Sequence, residues 1–189
     1  MAKRALIVVD IQNDYFPGGK WTLSGMDAAA DNAAILIDSA RKSGDLVIHV
    51  RHEFPTADAP FFAPGTEGAQ IHKKVQNIAG EHVIVKNHIN SFRNTDLGEV
   101  LDNNGIDEVV ICGAMSHMCI DAVSRAANDF GYSVIVVHDA CATRDLEFNG
   151  ETIAAKDVHS AYMSALQFGY ATLVTTAEHT AALQLATQQ

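Results

Sequence analysis

The chain repeats one phrase of apolar and polar positions. A stretch with helical spacing closes on a glycine, one to three residues intervene, and an apolar run rich in β-branched residues follows. Gly44 precedes Leu46-Val47-Ile48, Gly105 precedes Val109-Val110-Ile111, Gly131 precedes Val134-Ile135-Val136-Val137, and Gly169 precedes Ala171-Thr172-Leu173-Val174. Glycine tolerates the left-handed conformation that commonly closes a helix, so each phrase reads as a helix end feeding a strand. The runs are continuous rather than alternating, as expected for a parallel sheet covered on both faces by helices. Adding Ala5–Val9 and Val83–Val85 gives six strands. The spacing predicts helices near Asp27–Ser43, Thr66–Val75, Asp96–Asn104, His117–Phe130, Thr152–Phe168 and Ala177–Ala186.

Alternation of this kind implies a three-layer α-β-α sandwich with a six-stranded, mostly parallel sheet and right-handed crossovers. No linker, low-complexity stretch or charge block interrupts it, so residues 1–189 read as one domain. Two long irregular stretches, Gln12–Gly25 and Arg51–Gly65, each follow a strand. In an open parallel sheet that edge is where ligands bind, and loops of such length are usually functional.

Composition narrows the classes. With 48% hydrophobic and 19% charged residues, the chain of 189 can bury a sizeable core. No apolar run reaches the roughly 20 residues of a membrane span. The basic start MAKR precedes an apolar run that ends at Asp10, too short for a signal peptide. Three cysteines without a CxxC pair suit a reducing compartment, so a cytoplasmic location is expected. A net charge of −10 argues against a nucleic-acid partner.

The chemistry gathers at strand ends. Strand one ends in Asp10, strand three in Lys86, and strand four runs through the turn GAMSHMC to Cys119. Each has a plain structural reading: Asp10 as a turn cap, Lys86 as a solvated strand end, Cys119 as a small buried hydrophobe beside Val123, Ala126 and Phe130. Together at one sheet edge they read as a hydrolase. Amide hydrolysis by a thiol needs a way to make thiolate, a group that takes and returns protons, and donors for the oxyanion. A cysteine in the first turn of a helix feels the positive end of the dipole, and a nearby lysine adds to it. The expected effect is a thiol pKa lowered by about one unit or more from ~8.5. Cys112 within a strand and Cys141 in a loop lack these neighbours.

The stretches IVVDIQNDYF, VIVKNHINSFRNTDL and VVICGAMSHMCIDAVSRAANDFGYSVIVVHDAC carry a resemblance. In order and spacing they resemble the isochorismatase-like cysteine hydrolases, a superfamily that includes nicotinamidases, carbamoylsarcosine amidases and isochorismatases. The similarity thins in Arg51–Gly80 and after Thr176. It implies Asp10, Lys86 and Cys119 as a catalytic triad. It also implies a cis peptide between Ala114 and Met115, which sets the N–H of Met115 beside that of Cys119 as an oxyanion hole. Homodimers or homotetramers are expected from the family and from the alanine-rich helices.

The departures bear on the substrate. Nicotinamidases carry an Asp-x-His…His metal site after strand two, where this chain reads HVRHEFP. His49, His52, Glu53, His72 and His88 are potential ligands, but their spacing does not match, so no metal or other cofactor is expected. The non-covalent isochorismatase branch lacks the cysteine, and Cys119 therefore tilts this chain towards cleavage of small amides. Gln12, Phe16, Phe92 and His117 are the candidate substrate contacts, and Trp21, Phe61 and Phe62 fall in loops at the same edge. The segment Cys141–Gly150, with Arg144, Asp145 and Glu147, is either a solvated loop or a cover over the pocket, contributed by this subunit or a neighbour. Competing readings are an isochorismatase-type vinyl-ether hydrolase, a phosphatase with Asp10 as nucleophile, and a non-catalytic binding protein. The phosphatase reading wants a second Asp two residues on, where residue 12 is Gln.

Overall fold

The computed structural model describes residues 3–186. Its sheet is built from β1 (Arg4–Val9), β2 (Leu46–His52), β3 (His82–Lys86), β4 (Glu108–Ala114), β5 (Ser133–Ala142) and β8 (Thr172–Val174), in the order β3-β2-β1-β4-β5-β8. Every pairing in that sheet is parallel. Alternate residues of β1 face opposite layers, so the continuous apolar run divides cleanly. Leu6 and Val8 pack towards helix α1 (Met26–Ser43), with Ala29, Ala33 and Leu36. Ala5, Ile7 and Val9 pack towards α2 (Leu97–Asn103), α3 (Asp121–Asp129) and α4 (Ala155–Gly169), with Leu97, Leu101, Val123 and Leu166. Helix α5 (Thr176–Ala186) joins the α1 layer. Among the described residues, no helix is long and apolar enough to cross a membrane.

Three of the four helix-closing glycines adopt positive φ, Gly44 at 75°, Gly105 at 63° and Gly131 at 96°. Gly169 does not, and is instead the last residue of α4. Two helix expectations need correction. The segment Thr66–Val75 forms only two 3₁₀ turns, Glu67–Ala69 and Lys73–Val75, because its backbone serves neighbouring loops. Asn13 N–H donates to the Gln70 carbonyl, and His72 N–H donates to that of Ile11. Thr152 belongs not to a helix but to a hairpin of β6 (Leu146–Phe148) and β7 (Glu151–Ile153). Asn149 and Gly150, with φ of 51° and 81°, make its two-residue turn.

One buried carboxylate joins the two long loops. Asp14 accepts the N–H of Lys20 at 3.1 Å and that of Phe62 at 2.7 Å. Gly68 lies so close to that carboxylate that a Cβ there would overlap it.

Candidate active site

The strand order reverses between β1 and β4, and the crevice at such a point opens beyond the strands' carboxyl ends. Asp10 follows β1 directly, and the turn after β4 carries Cys119. Lys86 ends β3, two strands away from β1, and its side chain reaches across the end of β2. Asp10 is held at φ 52°, a conformation aspartate accepts more readily than most residues, while its N–H donates to the Val50 carbonyl. Gly113, at φ 125°, lets β4 approach β1 so closely that a Cβ would strike the Val9 carbonyl.

The three sequence-derived residues come together. Lys86 Nζ lies 2.8 Å from Asp10 Oδ2 and 3.2 Å from Cys119 Sγ. All three are buried, with Asp10 at 0%, Lys86 at 1% and Cys119 at 3% exposure. A third acceptor completes the ammonium: His52 Nδ1 at 3.0 Å. His52 and Lys86 are register partners on β2 and β3, which is why their side chains meet. Burial opposes charge on Lys86, but Asp10 and the Cys119 sulfur outweigh it and hold its pKa above the ordinary value.

Cys119 corrects the expectation of a lowered pKa. Burial above all, and then the Asp10 carboxylate, push the thiol up to about 12, and Lys86 offsets them only in part. Nor does Cys119 lie in the first turn of α3. It sits in a π-helical turn, Ser116–Ile120, that leads into that helix. The turn is anchored on both sides: Ser116 Oγ is 2.8 Å from His159 Nδ1 of α4, and His117 Nδ1 is 2.6 Å from Thr143 Oγ1. The Ala114–Met115 peptide is cis.

A cavity of about 620 Å³ opens over these groups, its wall including Asp10, Cys119, Met115 and His117. Tyr15, Trp21, Phe54 and Phe61 give it an aromatic side, and Arg144, Asp145, Leu146 and Glu147 bring in the hairpin segment. The Arg144 guanidinium lies 4.4 Å over the Trp21 ring. Asp145 accepts the N–H of Ala155 at 2.7 Å and so ties this segment to the start of α4.

Three proposed contacts lie elsewhere. Gln12 is fully buried and spent on the backbone: its amide donates to the His52 and Ala69 carbonyls at 2.8 Å and accepts the His52 N–H at 2.8 Å. Phe16 stacks on His72, ring centres 3.6 Å apart, outside the cavity wall. Phe92 packs against Phe130 and Tyr132, also away from it. The histidines and the glutamate named as potential ligands are dispersed. His49 pairs with Glu81 at 3.0 Å, His72 lies under Phe16, and Glu53 pairs with Arg51 at 2.8 Å. His88 Nε2 is 3.4 Å from the Asn94 amide. Among the described residues, no group of three or more His, Cys, Asp or Glu gathers as metal ligands would.

With this geometry in view, a family model described as the isochorismatase domain matches residues 4–178. The chain belongs to the isochorismatase family. An isochorismatase family protein of Bacillus subtilis, YddQ, is 50% identical over 172 residues, 91% of this chain and 96% of its own length. A crystal structure from Oleispira antarctica, assigned to the isochorismatase hydrolases, superposes with a TM-score of 0.92 at 54% identity, covering 95% of this chain and 97% of that one. The maleamate amidohydrolase of Pseudomonas putida is 32% identical, covering 75% of this chain and 73% of its own. The isochorismatase-family fold thus accounts for the sheet and for the position of the cavity. Sequence reasoning missed Tyr15 and Phe54 in the wall and the contact between His52 and Lys86. The last was legible in principle, because two strands ending in the same register place their final side chains together.

Proposed function

We propose that this isochorismatase-family hydrolase cleaves a small-molecule amide or related C–N bond through a thioester on Cys119. The observation that carries this reading is the buried Lys86 ammonium between the Asp10 carboxylate and the Cys119 sulfur. A thiol kept protonated at rest needs a base at hand and a cation waiting for the thiolate. Asp10 takes the thiol proton as sulfur attacks the carbonyl carbon, and Lys86 stabilises the charge. The N–H groups of Met115 and Cys119 hold the tetrahedral oxyanion. Asp10 then passes its proton to the departing amine as the C–N bond breaks. Water adds to the thioester with Asp10 as base, the acid leaves, and the proton returns to sulfur. A high resting pKa is compatible with this sequence, since proton removal and attack are coupled.

The amide-cleaving reading is supported by the similarity to a maleamate amidohydrolase and by the presence of the cysteine itself. It is tested by incubating the native chain with a panel of small amides and ureides and following the protein by mass spectrometry. The expected result is an acyl adduct on the Cys119 peptide during turnover and none in Asp10→Asn. Asparagine keeps the backbone conformation of residue 10 and removes the base. Turnover with no adduct, or full activity in Asp10→Asn, would overturn the covalent route.

A further inference from the structure

His117 carries a nitrogen that the proposed chemistry leaves unused. The residue belongs to the turn that holds Cys119, is half-buried, and forms part of the cavity wall. Its Nδ1 lies 2.6 Å from Thr143 Oγ1. That separation is shorter than the roughly 2.7–3.2 Å of bonds donated by N–H and falls within the roughly 2.5–3.0 Å of bonds donated by O–H. The hydroxyl of Thr143, a residue only 2% exposed, is therefore the donor and Nδ1 the acceptor. Burial first, and the Arg144 charge second, lower the pKa of the ring, so at neutral pH it is uncharged and its proton resides on Nε2. Among the described residues, Nε2 meets no hydrogen-bond partner.

The ring is held, and its surroundings limit what it can recognise. The Thr143 carbonyl accepts the Ser24 N–H at 2.9 Å, and Tyr162 of α4 meets the imidazole edge-on at a ring distance of 6.0 Å. A donor fixed by the protein and answered only by the ligand discriminates, because a ligand without an acceptor leaves it unpaired. The wall next to Thr143 sets one cation, Arg144, against two carboxylates, Asp145 and Glu147. A full negative charge gains little there, so a neutral carbonyl oxygen suits the donor better than a carboxylate.

We infer that His117 is a substrate-recognition residue, whose Nε2–H donates to a second carbonyl oxygen of the substrate while the scissile carbonyl lies against Cys119. The inference rests on the amidase reading and sharpens it to a class: amides that carry a further neutral carbonyl, as ureides, diamides and keto amides do. The aromatic side of Tyr15, Trp21, Phe54 and Phe61 suits a flat group joining the two carbonyls.

Binding and turnover separate the two claims. In Cys119→Ala, calorimetry compares 3- and 4-acetylbenzamide with the corresponding isopropylbenzamides, near-isosteres that lack the second carbonyl. The expected result is that one acetyl isomer binds roughly tenfold tighter than its isopropyl counterpart, the worth of one good hydrogen bond. Adding His117→Asn, whose shorter amide can still meet Thr143 but stops short of the Nε2 position, should collapse that ratio to about one. Adding His117→Gln, whose amide reaches as far as Nε2, should restore part of it. No preference for the acetyl group in either isomer, no binding by any of these amides, or a ratio indifferent to His117→Asn would overturn the inference. So would tighter binding of 3- or 4-carbamoylbenzoate than of the acetyl isomers, which would assign the donor to an anion. Turnover by the native chain without preference for the second carbonyl would keep the amidase reading and remove the role of His117. Carbonyl-dependent binding without turnover would do the reverse.

Discussion

Two thiols in this molecule look alike until their neighbours are compared. Cys119 and Cys141 are both buried, and both are pushed up to about 12, in each case chiefly by burial. Both lie beside the end of β4, Cys141 as the register partner of Gly113 and Cys119 in the turn beyond. Around Cys141 the sulfur's hydrogen-bond partners are backbone groups, the Val137 carbonyl at 3.4 Å and the N–H of Gly113. Around Cys119 stand Asp10, Lys86 and the cavity. Resting proton affinity therefore does not distinguish a structural cysteine from a proposed nucleophile in this fold. The distinction lies in whether a base and a cation share the thiol's surroundings and whether a substrate can reach it.

That contrast is broken or sharpened first by alanine. On a substrate from the amide panel, Cys119→Ala should lower kcat by at least about 10⁴-fold, as loss of a nucleophile does in enzymes of this kind. Cys141→Ala should leave kcat within about threefold and cost no more than ~1.5 kcal/mol of stability, the ordinary effect of a small buried truncation. Comparable losses of activity in both would erase the distinction.

Alkylation reads the same contrast without a substrate. Limited iodoacetamide at pH 7 should label Cys119 at least about tenfold faster than Cys141 or Cys112, because proton removal by a neighbour and access from the cavity both favour it. The absolute rate should be slow and should climb with pH, since the thiol is held protonated. Peptide mapping showing Cys141 first would place the reactive thiol on the wrong strand.

Stability against pH should bracket the site from both sides. His52 falls from 6.5 to about 4 on folding, and the buried His49 and His179 are also lowered by burial. The folded state favours these rings neutral, so their contribution is complete above pH 6.5 and is lost as pH falls towards 4. Cys119 and Cys141 rise from 9.0 to about 12, so the contribution of the neutral thiols is complete below pH 9.0 and is lost as pH climbs towards 12. Urea midpoints should therefore be flat between about pH 6.5 and 9 and fall on either side. Reduced stability at pH 7.5 relative to pH 5 would contradict the histidine sign, and stability that rises from pH 9 to pH 11 would contradict the thiol sign.

The smallest effect belongs to the hairpin segment. Arg144 lies over Trp21 in the cavity wall, a contact worth about 0.5–1 kcal/mol where partly exposed. Arg144→Ala should change kcat/KM by about two- to fivefold, mostly through KM. Unchanged kcat and KM would return the segment to a plain surface role.

How much of this was legible in the sequence differs from residue to residue. Continuous apolar runs marked all six strands, since a parallel sheet hides both faces and leaves no alternation to misread. Asp10, Lys86 and Cys119 could be placed at one edge from strand ends alone. The hairpin was missed although Asn149-Gly150 is a strong turn signal, because the helical spacing of α4 was extended backwards through Thr152. The Thr66–Val75 segment misled in another way. Its local pattern suited a helix, but hydrogen bonds to Ile11 and Asn13 claimed its backbone, and such long-range demands leave no local trace. Loop aromatics were the hardest to sort. Trp21 and Phe61 reach the cavity while Phe16 and Phe92 do not, and only packing partners separate them.

Asp14 has a consequence for how the cavity breathes. Its carboxylate serves amides from both loops, Lys20 from one and Phe62 from the other, in a position where neither can be resolvated alone. Lifting either loop strips the anion of half its hydrogen bonds, so the two are expected to open as one cooperative unit. The antiparallel hairpin on the opposite side is tied at its base by a single amide on the exposed Asp145 carboxylate, not by a buried anion shared with a second loop, and is the softer wall. Traffic of small molecules in and out of the site should therefore follow its fluctuations, with the aromatic loops acting as a fixed jaw.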